Sequence, residues 1–341
     1  MVAAIIPDVT QASGWLPLFF LVAMGIAVLS YVVLDGYDLG VGILLNQATD
    51  DEKDMMISSI GPFWDANETW LVLGIGLLLV AFPMAHGIIL TELYIPVAIM
   101  LAGLILRGVS FDFRVKVQAH QKPLWNFLFY LGSLIASIAQ GVMIGRHIVG
   151  FEAGLLGWLF ALIVGACVPA GYALLGSTWL IMKAEGDLQL KAIRWAKISL
   201  GFTAFGIGLI SVTTPFFSPE IMSKWFSLPN MIYLSPIPIA TLLLFILIER
   251  TLHKLTLNPH QKIWLPFVAS VAIYWLAFFG IAYSLFPYII VNQMTIWQAA
   301  ATTDSLWLIF WGAVFVLPAI LLYTLYSYRI FWGKTVPMSY Y

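Results

Sequence analysis

The sequence predicts an all-α, polytopic membrane protein of about nine transmembrane helices. Hydrophobic residues make up 61% of the chain and charged residues only 10%, where a soluble domain carries about 25% charged residues. Mean hydropathy is +0.94. The apolar residues also lie in continuous runs, without the alternation a lipid-facing strand needs. A bilayer core requires roughly 20 such residues per helix. A soluble chain with so few charges could not cover its surface.

The runs fall at about 16–45, 55–82, 87–110, 122–146, 154–182, 190–217, 231–252, 262–285 and 303–333. Several exceed the minimum, which predicts tilt or extension beyond the lipid. No Lys or Arg precedes Lys53, so the basic region of a cleavable signal is missing and the first run is expected to remain as a span. The longest loops, about 216–231 and 286–303, hold Trp225, Tyr288 and Trp297, residues suited to the membrane interface. Of the sixteen Lys and Arg residues, only Arg146 and Lys224 fall on one side of this map. The positive-inside rule then places the N-terminus outside and the C-terminus in the cytoplasm.

Composition excludes several classes. A net charge of −1 gives no reason to expect nucleic acid. The single cysteine, Cys167, allows no internal disulfide. Phosphate-loop, C-x-x-C and H-E-x-x-H motifs are missing, so nucleotide, zinc and iron–sulfur chemistry has no support. All five histidines (His86, His120, His147, His253 and His260) map to helix ends or loops. Haem held within a bundle needs axial ligands from facing helices, so this chain is not expected to ligate haem through histidine, and no metal site is expected.

Polar residues inside the spans carry the remaining information, because a charge at mid-membrane costs at least about 2.5 kcal/mol. Span one ends L-D-G-Y-D-L-G-V-G over 34–42. Asp35 and Asp38 stand three apart and share one helix face. Span two opens G-P-F-W-D-A-N-E-T-W over 61–70. Asp65 and Glu68 repeat that spacing, with Trp64 and Asn67 beside them, and Pro62 permits a kink. Asp35 and Asp65 each lie ten residues from the cytoplasmic end of their span, roughly 15 Å in at 1.5 Å per residue. They are expected to be neighbours at matched depth. A graded set of carboxylates entering from the cytoplasm suits a proton path. The competing reading is structural: these acids bind helix ends or pair with Arg107. Glu92, near the outer end of span three, is either part of an exit or simply solvated. Arg107, Asp112 and Arg114 read first as a cytoplasmic anchor and salt-bridge cluster.

Two functions from different classes fit these residues. One is a proton-conducting subunit of a larger redox complex. The other is a proton-coupled secondary transporter, which would usually show broken helices in both halves. The acids concentrate in the first three spans, which favours the subunit.

The motifs at 34–42 and 61–74, R-G-V-S-F-D-F-R at 107–114, and G-Y-A-L-L-G-S-T-W-L-I-M-K at 171–183 together resemble subunit II of the cytochrome bd ubiquinol oxidases. The W-D-A-N-E-T-W form is more similar to the cyanide-insensitive branch. The resemblance implies two four-helix bundles plus a peripheral helix within one transmembrane domain over 1–341. The first bundle would span about 16–146, and the second, with the peripheral helix, about 154–333. It implies a bacterial cytoplasmic (inner) membrane location. It also implies a partner subunit I that holds two b-type haems and haem d, and in some members small single-span subunits. The complex would use quinol to reduce oxygen to water, taking protons from the cytoplasm without pumping. A structural quinone is bound by this subunit in some members. The family's W-D aspartate on the proton path maps onto Asp65, with Asp35 and Asp38 near its entrance or structural.

Overall fold

Helices form where apolar residues run unbroken, and they stop at proline, glycine or a polar cap. A computed structural model describes residues 7–152, 154–217 and 219–336. α1 (Ala12–Leu44) is followed by a short 3-10 turn and by α2 (Asp50–Ile60). A reciprocal capping box between Thr49 and Glu52 starts α2, satisfying two backbone donors that have no partner within the helix. α3 (Trp64–Ala81) leads into α4 (Pro83–Lys116), whose first residue is a proline that needs no backbone donor there. α5 (Lys122–Ile148), α6 (Leu155–Lys183) and α7 (Gly186–Phe217) complete the central run.

The two longest loops contain structure of their own. α8 (Pro219–Phe226) and α9 (Asn230–Leu234) precede α10 (Pro236–Leu257). After α11 (Leu265–Leu285), a small antiparallel hairpin of β1 (Tyr288–Ile290) and β2 (Met294–Thr295) leads into α12 (Ile296–Ala299). α13 (Thr303–Ile330) ends the fold. Nine helices among the described residues are long and apolar enough to cross a membrane, in agreement with the sequence.

The second span differs from its expected course. The predicted 55–82 run is two helices, broken at Gly61–Phe63. Pro62 has no N–H to continue the ladder, and the acidic start of α2 is held elsewhere by ion pairs. Glu52 meets Lys191 at 2.7 Å, and Asp54 meets Arg114 at 2.5 Å. The span proper therefore starts at Trp64.

α1 and α6 lie at the centre. α1 packs on α3, α5 and α6, and α6 on α5, α7 and α11. α1 and α6 cross at Gly40 and Gly176, where a Cβ on Gly40 would collide with the Tyr172 carbonyl. Small residues at a crossing allow this backbone contact, as is common between membrane helices. α10 and α13 bury few residues, so most of their apolar surface faces outward. The Lys and Arg residues gather at the ends of α4, α6 and α10, a region called the basic end below.

Candidate functional site

Arg107 organises the site. Its position follows from α4 meeting α5 backbone to backbone: a Cβ on Gly132 would lie 2.6 Å from the Gly103 carbonyl oxygen and 2.8 Å from the Arg107 nitrogen. That crossing turns Arg107 into the protein, where it is 1% exposed. Its Nη1 stands 2.6 Å from Asp35 Oδ1, and its Nη2 donates to Glu68 Oε2 at 3.0 Å. The Asp35 contact is a close ion pair whose angles are not those of a hydrogen bond. The sequence reads Arg107 first with Asp112 and Arg114 as a cytoplasmic anchor, and otherwise as the deep base that pairs with the acids. It lies seven residues before Arg114 along α4, about 10 Å at 1.5 Å per residue, and pairs with Asp35 and Glu68.

Asp38 completes the acidic side. Asp35 and Asp38 are both fully buried, and no cation lies within ion-pair distance of Asp38 among the described residues. Its Oδ2 accepts from Asn67 Nδ2 at 2.8 Å, and its Oδ1 has no hydrogen-bond partner there. The cluster thus sets Asp35 and Glu68 on one guanidinium, with Asp38 one turn along α1 and held by Asn67. Taking charges out of water is costly unless they are paired, so this arrangement is held by the packing around it.

Asp65 stands apart. It is exposed and lies in the first turn of α3, because the break at Pro62 moves the start of the span to its door. It pairs with no cation among the described residues, whereas Asp35 pairs with Arg107. Glu68, one turn on, is its link inward: the Glu68 side chain is 28% exposed and also reaches Arg107. Asp35 itself lies nine residues before the end of α1, about 13 Å by the helix rise.

The other expected residues fall into three places. Arg114 is buried at the basic end, where it binds Asp54 and Asn126. Asp112 is exposed and takes no part in that group. Glu92 is partly exposed at the opposite end, 3.8 Å from Arg146, which also lies over the Trp158 ring. Trp64 packs on Phe111 with ring centres 4.8 Å apart.

Several polar residues escaped the sequence reading. Gln140 donates to the Tyr31 hydroxyl at 2.7 Å and accepts from Tyr172, extending the polar region from α1 into α5 and α6. Tyr37 and Tyr328 flank Asn67. A tyrosine in an apolar run reads as packing, yet its buried hydroxyl needs a partner. That requirement was the available signal.

Together these features define a multi-pass α-helical membrane protein with its ionisable groups gathered around one buried arginine beside α3. The family model for cytochrome bd terminal oxidase subunit II matches residues 16–331, and the chain belongs to that family. It is 25% identical to cytochrome bd-I ubiquinol oxidase subunit 2 of Escherichia coli (strain K12), across 91% of this chain and 93% of that one. It is 32% identical over 197 residues to cytochrome bd ubiquinol oxidase subunit 2 of Bacillus subtilis (strain 168), covering 54% of this chain and 57% of that one. Its fold matches the bd oxidase of Geobacillus thermodenitrificans with a TM-score of 0.76 at 17% identity, over 94% of this chain and 100% of the other. The chain is therefore subunit II of a bd-type ubiquinol oxidase complex, an oxidoreductase, and the independent transporter is not favoured.

Such a complex contains haem. His86 and His147 occupy end turns of α4 and α5, His253 is near the end of α10, and His120 and His260 lie in connecting segments. None of them stands in the buried polar region described above.

Proposed function

We propose that this chain delivers protons from the cytoplasm to oxygen reduction carried out in a partner subunit I. The basic end faces the cytoplasm in this reading, with the N-terminus outside, in a bacterial inner membrane. The two b-type haems, haem d and the quinol-oxidising site belong to subunit I. Small single-span subunits would sit against the open faces of the outer helices. α1, α3, α4 and α5 form the first bundle, α6, α7, α10 and α11 the second, and α13 the peripheral helix.

The observation that carries the proposal is the gradient of exposure that runs from the first turns of α3 to the buried acids of α1. Asp65 is exposed, Glu68 is part-exposed, and Asp35 and Asp38 are wholly buried. Asp65 and Glu68 are three apart and share a helix face. Glu68 then shares Arg107 with Asp35. One guanidinium for three carboxyl groups leaves an excess of acid that bound protons would balance. Asp65 shares its side of α3 with the exposed Val72, and the neighbouring α4 exposes Ile99 and Ile105. An acid facing lipid there is costly, so this face of α3 and α4 is read as the seat of subunit I. A purely structural role for Asp65 has its own support: an acid in a first helical turn is favoured by the helix dipole.

Asp65→Asn separates these readings. The proton path predicts slower oxygen reduction by the assembled complex, by about tenfold or more, with its haem spectrum unchanged. Normal turnover at full haem content would remove Asp65 from any path. Loss of haem d would instead place it in the structural class.

A further inference from the structure

The last span contributes to the site from an unexpected direction. Tyr328 lies two residues before the end of α13, a helix whose buried residues are few. Its hydroxyl donates to Asn67 Oδ1 at 3.0 Å and lies 2.6 Å from the Tyr37 hydroxyl. Asn67 Nδ2 in turn faces the Tyr37 hydroxyl at 2.9 Å and Asp38 Oδ2 at 2.8 Å. A longer contact, 3.3 Å, runs from the same nitrogen to the Leu34 carbonyl.

Counting hydrogens orders this group. A tyrosine hydroxyl has one hydrogen to give and an amide nitrogen has two. The Tyr328 hydrogen goes to Asn67 Oδ1, so Tyr37 must supply the hydrogen between the two hydroxyls. The Tyr37 oxygen then receives one amide hydrogen from Asn67, and the ring closes. The second amide hydrogen is left for Asp38. The Asp38 carboxylate can only accept, so it selects the amide nitrogen of Asn67, and turning the amide over would set two acceptor oxygens against each other. That choice sets the direction in which the ring of hydroxyls donates.

Aromatic contacts hold the ring in place. Tyr37 stacks on Trp179 with centroids 4.2 Å apart, and Tyr328 stacks on Phe63 at 4.5 Å. Phe63 ends the break before α3. One set of contacts thus ties together α1, α13 and the start of α3.

We propose that Tyr328 is a positioning residue for oxygen reduction, acting through Asn67 on Asp38 and on the first turns of α3. Asn67 lies between Asp65 and Glu68 in sequence, so a change in its bonding alters the helix on which both acids stand. This inference rests on the proton-path reading of those acids.

The test uses Tyr328→Phe in the intact complex, which keeps the stack on Phe63 and removes one hydroxyl. Turnover is expected to fall about three- to tenfold, as for the loss of one buried hydrogen bond. The infrared carboxyl band of Asp38, identified by its disappearance in Asp38→Asn, is expected to shift. Tyr37→Phe should produce the same two changes, and the double variant should add little, because the ring is already open. Tyr326→Phe alters a tyrosine that is 62% exposed on the same helix, and should leave turnover and band as they are. Wild-type turnover in Tyr328→Phe, alongside a slow Asp65→Asn, would overturn the positioning role and leave the path standing. If Asp65→Asn is as fast as wild type, the path fails, and the Asp38 band decides the ring by itself. An unmoved band overturns it, and a shifted band supports it. Failure of both tyrosine variants to assemble would make the ring structural and also overturn the proposal.

Discussion

At the scale of single residues, Arg107 has the largest consequence. Two acids share its guanidinium, and removing it would leave Asp35 buried without a cation. Arg107→Leu is therefore expected to destabilise the chain by about 3–5 kcal/mol, read as a large drop in the thermal midpoint of the purified complex. A midpoint within a degree or two of wild type would show that the pair contributes little. The acids were legible in the sequence because a carboxylate inside an apolar run has no innocuous reading. Arg107 was visible too, as a base inside the third span, whereas the contact of Gly103 with Gly132 that turns it inward was not. The partners of Asn67 were not legible: Tyr37 and Tyr328 stand 291 residues apart, and nothing local in either segment points to the other.

At the scale of elements, the short α2 is the part the hydropathy pattern misassigned. It supplies Glu52 and Asp54 to ion pairs at the basic end, and so docks there ahead of the span. Burial would raise the Glu52 carboxyl, but the Lys191 ammonium and its hydrogen bonds to Thr49 outweigh this and hold it below its ordinary 4.5. A depressed carboxyl stabilises the fold above its unfolded value and loses that contribution as pH falls through the folded one. The thermal midpoint of wild type should exceed that of Glu52→Gln near neutral pH, by an amount worth about 1 kcal/mol or less. The gap should close below about pH 4.5. A constant gap across that range would show that the ionised form contributes nothing. The α1–α6 crossing makes a sharper demand. Gly40→Ala places a methyl against the Tyr172 backbone, whereas Gly76 faces open space. Gly40→Ala should lower the amount of assembled complex severely. Gly76→Ala should be neutral or slightly stabilising, since alanine favours helix by about 1 kcal/mol. Equal yields from the two variants would contradict the close packing.

At the scale of the whole molecule, the number and order of the spans followed from apolar runs of sufficient length, and the nine helices agree with them. The break at 61–63 followed only in part, as the kink that Pro62 permits, and the hairpin after α11 did not follow, because its pairing depends on contacts made after folding. Subunit II presents one face, along α3 and α4, where an exposed acid interrupts an apolar surface, and the proposed path begins there. Its central claim is that protons for oxygen reduction enter through this chain from the basic end. The direct measurement is proton uptake by the complex in sealed vesicles of fixed orientation, followed with a pH dye on the cytoplasmic side after oxygen is admitted. Asp65→Asn is predicted to slow that uptake by about tenfold or more, while quinol still reduces the haems at the wild-type rate. Uptake at the wild-type rate, with full haem content, would contradict the account.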